Sequence, residues 1–221
     1  MATVQSITPL EQSVVLHDID WRAYRRIGRV LADRPALRLT YDRGVLEIMT
    51  TSPEHERLKH FLRRLLEAWV DEFAIPIAGY GSMTFRRQKR LRGLEPDECY
   101  WIAHESAVRG RDCIDFRVDP PPDLILEIDI TSSSLNRMAI YGILGVPEVW
   151  RYSKQKLTFQ ARQPDGDYLE TPTSLSLPPL TPGDLGPFLL QRGAVDETTL
   201  LRLFRTWIRE KVSTGEAPPA P

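Results

Sequence analysis

Two carboxylates on one apolar strand are the residues of this chain best suited to chemistry. The segment PDLILEIDI, residues 122–130, predicts a buried β-strand with Glu127 and Asp129 on the same face. Their Cα atoms would lie about 6–7 Å apart. Because carboxylates are seldom buried unless they are paired or bind a metal, either the strand prediction is wrong or the strand carries a site.

A third carboxylate, Asp97 in the sequence EPD, stands before a short apolar run, CYWIA. If the two strands pair, three carboxylates converge, which is the ligand chemistry of Mg²⁺ or Mn²⁺. Such a metal could bind a scissile phosphate and activate water for phosphodiester hydrolysis. Asp97 and Glu127 are the predicted ligands, with the backbone carbonyl of Ile128. The alternative makes Asp97 a turn residue and Glu127 a core carboxylate paired with an arginine.

Three further residues could complete such a site. Arg137 follows the strand on a predicted short helix, on one face with Tyr141, and could stabilise a pentavalent phosphate. His55 begins the longest predicted helix on its buried side, and Glu47 precedes that helix in a predicted hairpin strand. Either could support the carboxylates. The alternatives are a solvent-facing arginine, a core histidine and a surface glutamate.

A basic run, RRQKRLRG, offers a contact for a phosphate backbone through Arg86, Arg87, Lys89 and Arg90. The formal net charge of the chain is −1, so attraction to DNA needs a local basic patch of this kind. The alternative is a solvated loop between two strands.

The elements that must position these residues follow from periodicity. The pattern predicts a helix over 20–31, a hairpin of LRLTY and VLEIM, and a long helix from Pro53. A strand in IPIAGYGSMTF and strands at 99–103 and 123–130 come next. TSSS then caps a short helix that ends at Gly145.

The last third of the chain predicts a strand over 149–152, a second hairpin of KLTFQAR and DYLET, and a proline-rich connection over 178–187. A C-terminal helix starts near Asp196. Its predicted buried side is Leu200, Leu203, Phe204, Trp207 and Ile208. The whole order indicates an α/β fold, with a mixed sheet and helices on both faces.

Length and composition favour one domain, residues 1–212, with a disordered tail over 213–221. Two cysteines outside any CxxC, and an N-terminus unlike a signal peptide, indicate a cytoplasmic protein. No apolar run is long enough to span a membrane, so no membrane partner is expected. Phe204 and Trp207 could belong to the core or to the seam of a homodimer.

These motifs together resemble the Uma family of restriction endonuclease-like proteins, within the PD-(D/E)XK nuclease superfamily. The resemblance rests on EPD, on PDLILEIDITSSS, on YGILGVPEVWRY and on GVLEIMTTSPEH, and covers roughly residues 20–155. It implies a restriction endonuclease-like core of mixed sheet flanked by helices. It also implies Mg²⁺ bound by Asp97 and Glu127.

One position departs from the superfamily pattern. The lysine expected two residues after the strand carboxylate is replaced by Asp129, and Arg137 supplies a basic residue on the next helix. Arginine stays charged at neutral pH and cannot act as a general base, so water deprotonation would fall to the metal. The sequence predicts a metal-dependent DNA endonuclease. The alternative is an inactive nucleic-acid- or protein-binding module that retains the fold.

Overall fold

The computed structural model describes residues 11–34, 36–130, 133 and 135–213, which form two β-sheets and six α-helices. The strands are β1 (Ser13–Leu16), β2 (Leu37–Asp42), β3 (Val45–Thr50), β4 (Ala78–Gly79), β5 (Phe85–Arg87), β6 (Arg92–Leu94), β7 (Glu98–Trp101), β8 (Leu124–Asp129), β9 (Glu148–Ser153), β10 (Lys156–Arg162) and β11 (Tyr168–Thr171). The helices are α1 (Trp21–Val30), α2 (Pro53–Glu72), α3 (Glu105–Val108), α4 (Arg137–Leu144), α5 (Pro182–Leu190) and α6 (Glu197–Ser213).

The larger sheet is mixed and has the strand order β11-β10-β9-β8-β7-β4. β8 runs parallel to β9 and antiparallel to β7, so the predicted carboxylate strand is central. The smaller sheet is antiparallel, in the order β1-β3-β2-β6-β5. The predicted N-terminal hairpin, β2–β3, therefore belongs to a second sheet instead of extending the first.

Strand alternation in β8 divides the core as the sequence predicts. Leu124, Leu126 and Ile128 face a core formed with α2, α5 and α6. Ile125 faces the opposite core, formed with α4, β5 and β6. Helices therefore cover both faces of the larger sheet, and the α/β prediction is confirmed.

Local sequence signals explain the elements that lead to the site. The β2–β3 turn uses Arg43 and Gly44 at positive φ, 43° and 96°, where glycine carries no steric cost. Ser52 caps α2 by accepting a hydrogen bond from the backbone N–H of His55, and Pro53 fills the first helical position. These two signals fix where His55 enters the core.

Several predicted boundaries are wrong. IPIAGYGSMTF forms only the two-residue β4 before β5 begins at Phe85. Asn136, and not TSSS, caps α4, because its side chain accepts from the N–H of Ala139. The proline-rich connection contains α5, which a Thr181–Asp184 capping box starts.

The C-terminal helix is confirmed, with one exception on its buried side. Leu200, Phe204 and Ile208 are fully buried, whereas Leu203 is 50% exposed. Trp207 packs against Phe204, so these aromatics belong to the core. Ser213 is still helical, and residues 214–221 of the predicted tail lie outside the described residues.

None of the helices described has both the length and the apolar character needed to cross a membrane.

Candidate active site

Asp97 joins the ends of two neighbouring strands. It stands immediately before β7, and its side chain is almost completely buried. Its Oδ2 accepts a hydrogen bond of 2.8 Å from the backbone N–H of Ile128 in β8. This contact holds the Asp97 carboxylate beside the Glu127 end of the strand.

His55 lies between two carboxylates. Its Nε2 is 2.8 Å from Asp97 Oδ1, and its Nδ1 is 2.9 Å from Glu11 Oε1. Both ring nitrogens therefore act as donors, which requires the charged imidazolium. Burial lowers the pKa of His55, but the hydrogen bonds to Asp97 and Glu11 outweigh it and raise the pKa to about 9.

Glu127 is held by an arginine and a tyrosine from the same helix. Arg137 donates to it from Nε (3.2 Å) and Nη2 (2.7 Å), and Tyr141 donates its hydroxyl proton to Oε1. Arg137 also donates to the Thr40 hydroxyl (2.7 Å) and to the Glu95 carbonyl (2.8 Å). The predicted transition-state cation is thus a mostly buried group that ties α4 to both sheets.

The electrostatics of the two carboxylates differ. Burial raises the pKa of Glu127, and the charge of Asp97 raises it further, while Arg137 lowers it. Burial also raises the pKa of Asp97, but hydrogen bonding to His55 prevails, and the net shift is downward. Asp97 and Glu127 line the same cavity, so both carboxylates can act on one ligand.

Asp129 and Glu47 each pair with a separate group. Asp129 receives a hydrogen bond from Arg151 in β9, the strand beside it in the sheet. Glu47 is buried and accepts a hydrogen bond from Ser133, so it links β3 to the segment after β8. The alternative of a surface glutamate is wrong.

One cavity of about 310 Å³ gathers most of the predicted site. Its lining includes Asp97, Glu127, Ile128, Asp129, Arg137 and His55. Arg38 and Arg151, which the sequence analysis missed, also line it, and Arg38 Nε lies 4.0 Å from Asp97 Oδ1. Alternation in VWRY was a usable signal, because it puts Arg151 on the face opposite Trp150; no comparable signal marks Arg38.

The basic run lies elsewhere. Arg86 and Arg87 belong to β5, and Lys89 and Arg90 to a single 3₁₀ turn between β5 and β6. All four line a second and larger cavity of about 1240 Å³. The structure does not bring them to the carboxylates.

The residues of the first cavity could bind a hard divalent cation only through a small number of protein ligands. Among the residues described, no three His, Cys, Asp or Glu side chains form a cluster that could hold a metal ion. Mg²⁺ commonly takes one or two carboxylates and completes its shell with water. Among the described residues, Asp97 Oδ1 contacts His55 Nε2 and Oδ2 accepts from the N–H of Ile128, and a carboxylate oxygen carries a second lone pair that could bind a cation. Asp97, Glu127 and the Ile128 carbonyl are the residues that could hold it.

Comparison with known proteins identifies the family. The family model "Uma2: Putative restriction endonuclease" matches residues 21–191. No curated protein matches the chain. Among solved structures, a putative nuclease belonging to DUF820 from Anabaena variabilis is 15% identical, with a TM-score of 0.43 over 68% of this chain and 90% of the other. Because the family model covers well over half of the 221 residues, this chain belongs to the Uma2 family of restriction endonuclease-like proteins.

Proposed function

We propose that this protein is a metal-dependent endonuclease that hydrolyses phosphodiester bonds in DNA. The observation that carries the proposal is the hydrogen bond from Ile128 N–H to Asp97, which aligns two buried carboxylates at one cavity wall. Family membership supports nuclease chemistry at this site. We assign the activity to a single domain spanning residues 1–212.

Each residue of the site has its own proposed role in the reaction. Asp97, Glu127 and the Ile128 carbonyl would hold Mg²⁺ or Mn²⁺, which when bound lowers the pKa of a water and neutralises charge on the phosphate. Arg137 favours the charged form of Glu127, holds it in place through two hydrogen bonds, and presents a positive charge to the cavity. His55 does the same for Asp97.

The charge pattern of the cavity suits a phosphate beside a metal. Asp129 occupies the usual lysine place and is neutralised by Arg151, so the cation reaches the cavity from the next strand. Arg38 adds a further guanidinium to the wall. These cations can attract a phosphodiester anion that three carboxylates alone would repel.

One observation favours the alternative function, a binding module without activity. Arg137 already makes two hydrogen bonds to Glu127, and Tyr141 makes another, so a metal must share Glu127 with them. In that case the cavity is a buried ion-pair network that stabilises the fold.

A cleavage assay with supercoiled and linear DNA, in Mg²⁺, Mn²⁺ or EDTA, separates the two functions. We expect metal-dependent cleavage by the wild type and loss of cleavage and of calorimetric Mn²⁺ binding in Asp97→Asn. Arg137→Lys should lower the rate more than DNA binding, and Arg137→Ala should lower the rate about 100-fold. Glu170→Gln, which removes an exposed carboxylate from β11, is the matched control.

Absence of wild-type cleavage across varied DNA substrates, or unchanged Mn²⁺ affinity in folded Asp97→Asn, would instead support the binding module.

We place the reaction in the cytoplasm because Cys99 and Cys113 are both free thiols, as reducing compartments favour. A homodimer stays a prediction, and the aromatic side chain of Phe204 is buried in the core instead of forming its seam.

A further inference from the structure

The larger cavity is an open groove built from three separated segments of the chain. It measures about 1240 Å³, against about 310 Å³ for the candidate active site. Its walls come from the start of α1, from β5 with the following 3₁₀ turn, and from the segment 114–117. The basic run supplies only one of these walls.

The lining of this groove carries an excess of positive charge. The lining includes Arg25, Arg86, Arg87, Lys89 and Arg90. In the part of the chain that the structure describes, none of these five has a carboxylate oxygen within 4.0 Å. The single acidic residue of the described lining, Asp115, is bound by Arg117. In a chain of net charge −1, such a local excess of cations fits a polyanion.

Two aromatic rings line the groove together with the cations. Trp21 lines the groove from α1, and its other contacts are to Tyr24 and Tyr41 in the core behind it. Phe116 lines the groove from the segment 114–117 and stacks on Phe85 at 4.5 Å between ring centroids. Both rings are half-buried, so each is supported from behind and partly open to the groove.

The groove lies close to the candidate active site. β6 leads from one to the other: Arg92 pairs with Arg87 at the groove end, and Leu94 pairs with Thr40, whose hydroxyl accepts from Arg137. Arg92 and Leu94 are two residue steps apart, which is about 7 Å along the strand.

We infer that the groove binds single-stranded DNA next to the cleavage site, with phosphates on the basic side chains and bases on Trp21 and Phe116. A positively charged groove with aromatic platforms is the arrangement by which proteins bind single strands. Double-stranded DNA would offer the phosphates but keep its bases stacked inside. The inference rests on the proposed function for its substrate class, but binding at the groove requires neither metal nor cleavage.

The test is fluorescence anisotropy in EDTA with a labelled oligothymidylate. Its length exceeds about 16 nucleotides, the upper end of the site sizes of such grooves. The same strand annealed to its complement provides the duplex, and each titration is repeated over a series of salt concentrations. The variants are Lys89→Ala/Arg90→Ala and Phe116→Leu. Arg202→Ala, an exposed arginine on α6 across the larger sheet, is the matched control for lost charge.

We expect tighter binding of the single strand than of the duplex. Lys89→Ala/Arg90→Ala should reduce the log–log salt slope by about 1.4, at about 0.7 per phosphate contact on a single strand. Phe116→Leu keeps an apolar contact with Phe85 but removes the stacking face, and should weaken single-strand binding by about 5-fold or more. Arg202→Ala should change neither quantity.

Two results would overturn the inference. A salt slope unchanged in Lys89→Ala/Arg90→Ala would show that the groove does not contact phosphates. Equal affinity for single strand and duplex, with folded Phe116→Leu indistinguishable from wild type, would show that the aromatic rings do not bind bases. Because EDTA removes any metal, single-strand binding without cleavage would leave this inference standing while the nuclease proposal failed.

Discussion

The two cavities of this protein differ in whether their charged side chains are paired. In the smaller one, Glu127 is paired with Arg137, Asp97 with His55, and Asp129 with Arg151. In the larger one, cations such as Lys89 and Arg90 have no acidic partner among the described residues. The charges of the smaller cavity are paired within the fold, whereas those of the groove face solvent.

This contrast shows why the number of charged residues alone does not locate a function. A buried ion must be paired, because removal from water costs more than an unpaired charge can recover. An exposed cation keeps its hydration and can remain unpaired until a phosphate replaces water and counterions. Pairing therefore holds the side chains of the smaller cavity in place, whereas the cations of the groove are available to an anion.

The largest expected effect comes from breaking the buried pair. Glu127→Gln leaves Arg137 charged and without a carboxylate, so we expect the free energy of unfolding to fall by about 3–5 kcal/mol. Urea denaturation followed by circular dichroism measures this change. Glu170→Gln, which removes the exposed carboxylate partner of Lys156, should change it by less than about 1 kcal/mol.

A double variant sharpens the same comparison. Glu127→Gln/Arg137→Met removes both charges, so no buried cation is left unpaired, and the loss should be smaller than in Glu127→Gln alone. A double variant that is as unstable as the sum of its single variants would show that the pair is not coupled.

The second effect concerns pH. The pKa of His55 is raised to about 9 in the folded protein, so its stabilisation is complete below about pH 6.5 and is lost as the pH rises through 9. We expect the free energy of unfolding to fall by about 3 kcal/mol over this window. Urea titrations across this range measure the decline. His55→Gln should flatten it, whereas His60→Gln, on an exposed face of the same helix, should leave it intact.

The smallest effect is expected in the groove. Lys89→Ala/Arg90→Ala removes exposed cations that stabilise nothing inside the protein, so the free energy of unfolding should change by no more than about 0.5 kcal/mol. Urea denaturation at neutral pH measures it. A clear loss of stability would mean that these side chains support the fold, and the contrast between the two cavities would then disappear.

Much of the site could be predicted because strand alternation is a local property. The pattern LILEID puts Glu127 and Asp129 on the face opposite Leu126 whatever surrounds the strand, and the structure places both at one cavity. The stripe of α2 likewise put His55 on a buried side. The α5 helix was missed because its prolines outweighed the Thr181–Asp184 capping box.

The sequence by itself determined which side chains share a face of a strand or helix. Side chains return to the same face every second residue in a strand and every three to four residues in a helix. Only the tertiary structure decided their partners. Arg137 meets Glu127 because α4 packs across β8, and Phe116 and Trp21 line one groove because distant segments fold together. Such pairings depend on contacts between residues far apart in the chain, and no local periodicity encodes those contacts.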